Sequence, residues 1–130
     1  MALTQPPLNS PAPGILIGLG IILFILVVSL IIVIESTVLQ LMSWGDFRRS
    51  LTGAFWANSA SALVGFVFLL FVPRFGRWLL MPSWALSVLI EALVLIRLKP
   101  EARSKNWLVS VVANLASYLI VIFPATTLAD

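Results

Sequence analysis

Four apolar runs, separated by short stretches rich in Arg, Lys and Pro, set the plan of this chain. The first extends from Gly14 to about Met42, the second from about Ser50 to Val72, the third from about Met81 to Leu98 and the fourth from about Asn106 to Phe123. Pro73, Pro100 and Pro124 stand at the ends of the last three, where proline stops a helix because it lacks the N–H and clashes with the preceding turn. Gly14 to Ile34 is 21 residues without a charge. At about 1.5 Å per residue, a helix of that length crosses the hydrocarbon core of a bilayer. No Lys or Arg precedes it, so the segment reads as a retained membrane helix and not as a cleaved signal peptide. The pattern therefore predicts helices over about 14–42, 50–72, 81–98 and 106–123. They are flanked by a Pro-rich tail at 1–13 and a short tail at 125–130. A connecting loop at 74–80 separates hairpin 14–73 from hairpin 81–124.

Composition turns helices into membrane helices. The chain is 61% hydrophobic and 10% charged, against about a quarter charged in a soluble domain. Such a chain cannot cover a water-facing surface, and the expected class is an all-α integral membrane protein with four transmembrane helices. Cys and His are both absent, which excludes disulfides, thiolate chemistry and the commonest metal and haem ligands. No metal site and no cofactor is expected. The net charge of +3 does not point to nucleic acid, because the basic residues stand at the ends of apolar runs and form no dense polar cluster.

The charges orient the chain. Arg48 and Arg49 follow the first run, and Arg97, Lys99, Arg103 and Lys105 follow the third. The connection between hairpins holds only Arg74 and Arg77, and neither tail carries a basic residue. The positive-inside rule places loops 43–49 and 97–105 in the cytoplasm and both termini outside, in a prokaryotic inner or thylakoid-like membrane. Trp44, Trp78, Trp84 and Trp107 lie near the ends of the runs, the usual position of interfacial anchors.

Two glutamates interrupt the apolar pattern, and an internal repeat links them. Shifting the chain by 56 residues lays Glu35-Ser-Thr-Val38-Leu39 on Glu91-Ala-Leu-Val94-Leu95 and Ala57-Asn58-Ser-Ala-Ser61 on Ala113-Asn114-Leu-Ala-Ser117. Matched Leu and Val carry little information in apolar sequence. Matched Glu and Asn carry more, because both are scarce here and equally spaced. The expected architecture is two tandem duplicated helical hairpins in the same orientation. Glu35 lies about eleven residues before the centre of the first loop and Asn58 about eleven after it, so an antiparallel hairpin brings them to one depth. The same reasoning pairs Glu91 with Asn114. A charged side chain near the bilayer centre costs about 2.5–3.5 kcal/mol on the insertion scale. A protonated one costs less, and it both donates to and accepts from an asparagine amide.

Small residues mark the packing faces. Gly53, Ala57, Ser61 and Gly65 recur every four residues, and Gly14 with Gly18 forms a further small pair. Such ladders let helix backbones approach closely. Ser83 and Ser87 precede Glu91 at steps of four and Ser117 repeats Ser61; these are the supporting polar groups, although serine also satisfies carbonyls of its own helix.

Function follows in two alternatives. The favoured one is a non-enzymatic scaffold or accessory subunit, held by Glu–Asn pairs and small-residue packing. The other is an oligomeric proton- or cation-coupled transporter that uses Glu35 and Glu91, since intramembrane acids mark ion paths. No nucleophile–base pair or cofactor fingerprint supports catalysis. Expected partners are membrane lipids and either further copies of this chain or a larger membrane complex.

The string Glu91-Ala-Leu-Val94-Leu95, a basic loop and then Ala113-Asn114-Leu-Ala-Ser117 resembles a pattern of small uncharacterised prokaryotic multi-pass membrane proteins. It is also similar to the cyanobacterial filament-integrity membrane proteins, which carry one such hairpin where this chain carries two. The resemblance implies a bacterial membrane protein and supplies no chemistry.

Overall fold

The computed structural model describes residues 13–71, 78 and 80–124. The tail before Pro13, most of the 74–80 connection with Arg74 and Arg77, Pro73, and the tail from 125 lie outside the described residues. Within them all regular structure is helical, with no strand. The helices are α1 (Pro13–Leu41), α2 (Phe47–Phe71), α3 (Leu80–Leu98) and α4 (Arg103–Ser117). Beyond Ser117 the backbone widens into a π turn, Tyr118–Ile122, and helix continues to Pro124. Three spans, Pro13–Leu41, Met81–Leu98 and Pro100–Ile122, are long and apolar enough to cross a membrane. The described part of α2 is not among them, and Arg48, Arg49, Ser50, Thr52, Asn58, Ser59 and Ser61 all lie on it.

Local chemistry explains the ends. α1 stops at a Schellman-type turn: Ser43 takes φ 55°, its N–H bonds the Gln40 carbonyl, and the Trp44 N–H bonds the Leu39 carbonyl at 2.9 Å. A left-handed serine costs about 1 kcal/mol that glycine would avoid, and the packing of Trp44 against Leu39 accompanies it. α2 begins at Phe47, earlier than the apolar run, because Asp46 caps it: the Arg49 N–H donates to Asp46 Oδ1 at 2.8 Å. α4 begins at Arg103 because the 3-10 turn Pro100–Ala102 feeds directly into it.

The helices form a ring in which α1 packs on α2 and α4, and α3 packs on the same two. Inside are small or branched apolar residues such as Ala54, Ala57, Val88, Ala92, Val109 and Ala113, together with nine polar residues that include both glutamates. Large apolar side chains face outward: Ile15, Leu16, Ile17, Leu19 and Ile21 to Leu26 are all more than half exposed. This is the reverse of a water-soluble bundle, in which apolar residues fill the core.

The small-residue ladder divides. Gly53 and Ala57 are buried, and a Cβ on Gly53 would meet the Trp44 ring at 3.0 Å. Gly65, Gly14 and Gly18 meet nothing within 4 Å, so the expected close packing at these three does not occur within the chain. Gly14 and Gly18 lie on the first turns of α1, beyond the described ends of α2 and α4, the helices on which α1 packs.

Candidate functional site

Each inward helix face brings one or two polar groups to the bundle centre, at a similar depth. Glu35 comes from α1, Asn58 and Ser61 from α2, Glu91 from α3, and Asn114 and Ser117 from α4. On α2 and α4 the serine follows the asparagine by three residues, which puts both on one face of a helix.

The bonding is reciprocal. Asn58 Nδ2 donates to Glu35 Oε2 at 2.5 Å, and Asn114 Nδ2 donates to Glu91 Oε2 at 2.6 Å. These bonds stay within one hairpin. The serines cross over: Ser117 Oγ lies 2.7 Å from Glu35 Oε1, and Ser61 Oγ lies 3.1 Å from Glu91 Oε1. Each glutamate therefore holds one group of its own hairpin and one of the other. The second amide hydrogen of each asparagine is also placed, Asn58 on the Ala54 carbonyl at 2.9 Å and Asn114 on the Ser110 carbonyl at 3.0 Å. The two carboxyl groups belong to one buried cluster, linked through the Asn and Ser side chains of α2 and α4. Glu35 is 2% exposed and Glu91 3%.

The centre is the floor of a cavity of about 350 Å³. From the glutamates it runs away from loops 43–49 and 97–105, past Ile31 and Ser87 to the level of Phe66 and Ser83. Gly65 lines it, and its open α-carbon is part of the space. Ser87 stands near the Tyr118 phenol in the π turn, so of the two expected supporting serines one neighbours tyrosine and the other, Ser83, lies along the wall.

A second polar cluster joins the hairpins at the loop end. Trp44 is buried, not interfacial: its Nε1 donates to Asn106 Oδ1 at 2.6 Å, and its ring fills the space above Gly53. Asn106 Nδ2 reaches the Lys99 carbonyl at 2.7 Å. Lys99 Nζ donates to the Trp44 carbonyl at 2.7 Å, and Lys105 Nζ to the Ser43 carbonyl at 2.8 Å. The lysines of one loop thus cap carbonyls of the other. Sequence reasoning did not find this cluster. Its one signal is Asn106, a polar residue opening an apolar run.

Among the described residues no group of three or more His, Cys, Asp or Glu could hold a metal ion. No protein-family model matches this chain, and no curated protein or solved structure matches it.

Proposed function

We propose that this chain is a small multi-pass membrane protein of two tandem duplicated hairpins, and that its role is that of a scaffold or accessory subunit without catalytic activity. The observation that carries this reading is the crossed bonding of the centre. Each hydrogen bond identified there holds one helix to another or to its own turn, and each glutamate ties its hairpin to the other one. In lipid, where apolar contact gives helices little reason to associate, interhelical hydrogen bonds and close packing supply the attraction. Large apolar residues outside and polar residues inside support a lipid environment. The 56-residue offset supports duplication, since Ser50, Gly53, Ala54, Ala57 and Asn58 are buried on α2 and Asn106, Val109, Ser110, Ala113 and Asn114 on α4.

Both hairpin loops lie at one end of the bundle, joined by Lys105 and Ser43. That supports the same orientation for both hairpins, with Arg48, Arg49, Arg97, Lys99, Arg103 and Lys105 on the cytoplasmic side of a prokaryotic membrane. The outward face of α1 meets lipid or a helix of a further subunit.

Paired substitutions in native membranes test the reading. Glu35→Gln with Glu91→Gln keeps hydrogen-bonding groups and removes the carboxylate, and it is expected to stay folded and retain its partners in a pull-down. Asn58→Leu with Asn114→Leu removes the intra-hairpin donors and is expected to lose them. A Gln variant that folds and assembles normally while its cells lose an ion-dependent phenotype would replace the structural role with a transport role.

A further inference from the structure

We infer that the cavity above Glu35 and Glu91 binds a hydrophobic monovalent organic cation, of the substituted-ammonium class, in exchange for a proton. This goes beyond the structural role, which the hydrogen bonds of the floor satisfy with no ligand.

The cavity is the starting point. At about 350 Å³ it falls in the range of small-molecule sites, which are mostly apolar with a few convergent polar groups. Here the convergent groups are two carboxyls. Each carboxyl oxygen accepts one bond from Asn or Ser, while a carboxylate offers about four acceptor sites in all. The floor therefore keeps acceptor capacity after the helices are joined. None of the described lining residues is Lys or Arg, so the protein lining provides no positive charge to oppose a carboxylate, and a cationic ligand would.

The walls select the kind of cation. Phe24 and Phe66 border the hairpin-one side, with most of each ring exposed outward, and Tyr118 borders the other; aromatic rings attract alkylammonium groups. Val28, Leu86 and Ile122 add apolar surface, suited to a hydrocarbon body. A hard divalent ion is poorly served, because it needs six or more oxygen ligands and the floor has two carboxylates. The lining extends eight residues along α2 from Asn58 to Phe66, about 12 Å, so an elongated ligand lies along it with one end at the glutamates.

The exchange balances in charge. Two buried carboxyls in one cluster, with no cation facing them among the described residues, do not both ionise, so one proton is shared by the pair. The titratable groups that face it are Glu35 on α1, Glu91 on α3 and Tyr118 beyond α4; α2 contributes none. An arriving ammonium takes the place of the shared proton, which leaves to solvent, and the site keeps its total charge.

The test is calorimetry on the full chain in lipid nanodiscs, with benzyltrimethylammonium as the probe. Titration in two buffers of different ionisation heat counts the protons released. The expected result is saturable binding, close to one proton released per cation, and affinity that rises with pH by up to about tenfold per unit. Neopentylbenzene, the uncharged isostere, is expected to show no saturable binding. Glu35→Gln with Glu91→Gln is expected to weaken cation binding at least about tenfold. Gly65→Leu fills the cavity without touching the floor and is expected to do the same. The inference is overturned if the unsubstituted chain shows no saturable binding, if no proton is released, if neopentylbenzene binds as tightly, or if the Leu variant binds unchanged. Should the double Gln variant fail to assemble, the structural proposal is what fails, and the proton count and the Leu variant still decide the cavity.

Discussion

At the bundle centre the two hairpins present the same groups, and at the loop end they present different ones. Glu35, Asn58 and Ser61 correspond to Glu91, Asn114 and Ser117, and each set reaches across to the other. Nearer the loops, Ser50 corresponds to Asn106, Gly53 to Val109, Ser43 to Lys99 and Trp44 to Pro100. A reciprocal contact is satisfied twice by one pattern, so identity at the centre yields two identical links. The loop end has no such freedom. One indole fills the space between the hairpins, and its partner position must supply an acceptor, Asn106, and not a second indole. Symmetry persists where contacts exchange, and it breaks where one bulky side chain occupies the junction.

The largest effect is expected from breaking the symmetric region on both sides. Glu35→Ala with Glu91→Ala removes all four cross-helix bonds and leaves a void beneath the cavity. Interhelical hydrogen bonds in membranes are each worth about 0.6 kcal/mol, and unfilled volume adds to the loss, so the expected destabilisation is about 3 kcal/mol or more. Steric trapping of the unfolded state in lipid micelles measures it. A loss below about 1 kcal/mol would remove the centre from the account of what holds the hairpins together.

A smaller effect is expected from making the loop end symmetric. Gly53→Val gives hairpin one the residue that hairpin two carries at Val109. Its Cβ would stand 3.0 Å from the Trp44 ring, and overpacking of this kind costs about 1–3 kcal/mol. The same unfolding assay checks the size, and the quenching and emission wavelength of Trp44 report whether the indole is displaced. Combination with Trp44→Ala is expected to recover part of the loss, because the clash then has no partner.

The contrast also explains what could be read from the sequence. Span length and terminal prolines disclose the four helices, since both act along the chain. Depth is equally linear, so counting from the loop pairs Glu35 with Asn58 and Glu91 with Asn114. The crossed serine bonds are not linear. They depend on which way α2 and α4 face each other across the ring, and spacing within one helix does not determine that. Trp44 misleads for a related reason. Tryptophan near the end of an apolar run has the position of an interfacial anchor, and only the hole at Gly53 and the acceptor on Asn106 draw it inward. Gly14 and Gly18 have the right spacing for close packing but lie on turns of α1 beyond the described ends of its neighbours α2 and α4. The π turn at Tyr118–Ile122 leaves no residue signal, although it sets Tyr118 against Ser87.

A conservative change at the loop end should cost less than the overpacked one. Trp44→Phe keeps most of the ring volume and removes the Nε1 donor, leaving Asn106 Oδ1 without its indole. The expected loss is about 1 kcal/mol, the usual penalty for a buried acceptor deprived of its partner. Asn106→Ser, which installs the residue found at Ser50, also removes the bond from Asn106 Nδ2 to the Lys99 carbonyl; it is expected to lose about 2 kcal/mol, and less than the sum when combined with Trp44→Phe, since the indole bond is lost in both. Additive losses would mean that the two residues act separately and that the loop end is not a single junction.

The smallest effect gives the sharpest comparison. Ser61→Ala removes one bond to Glu91, and Ser117→Ala removes one bond to Glu35. Each loss is expected near 0.6 kcal/mol, the average for such bonds in membranes. Reciprocity requires the two to be equal within error, even though Ser61 is half-buried and its bond is 3.1 Å, while Ser117 is buried with a bond of 2.7 Å. Each serine also keeps a contact to its own asparagine carbonyl, at 3.2 Å and 3.1 Å, so the hydroxyl partner inside the helix is the same in both cases. Unequal losses would therefore trace to the glutamates. A larger cost for Ser117→Ala would make Glu35 the tighter acceptor, and Glu91 would then be the carboxyl left freer to face the cavity.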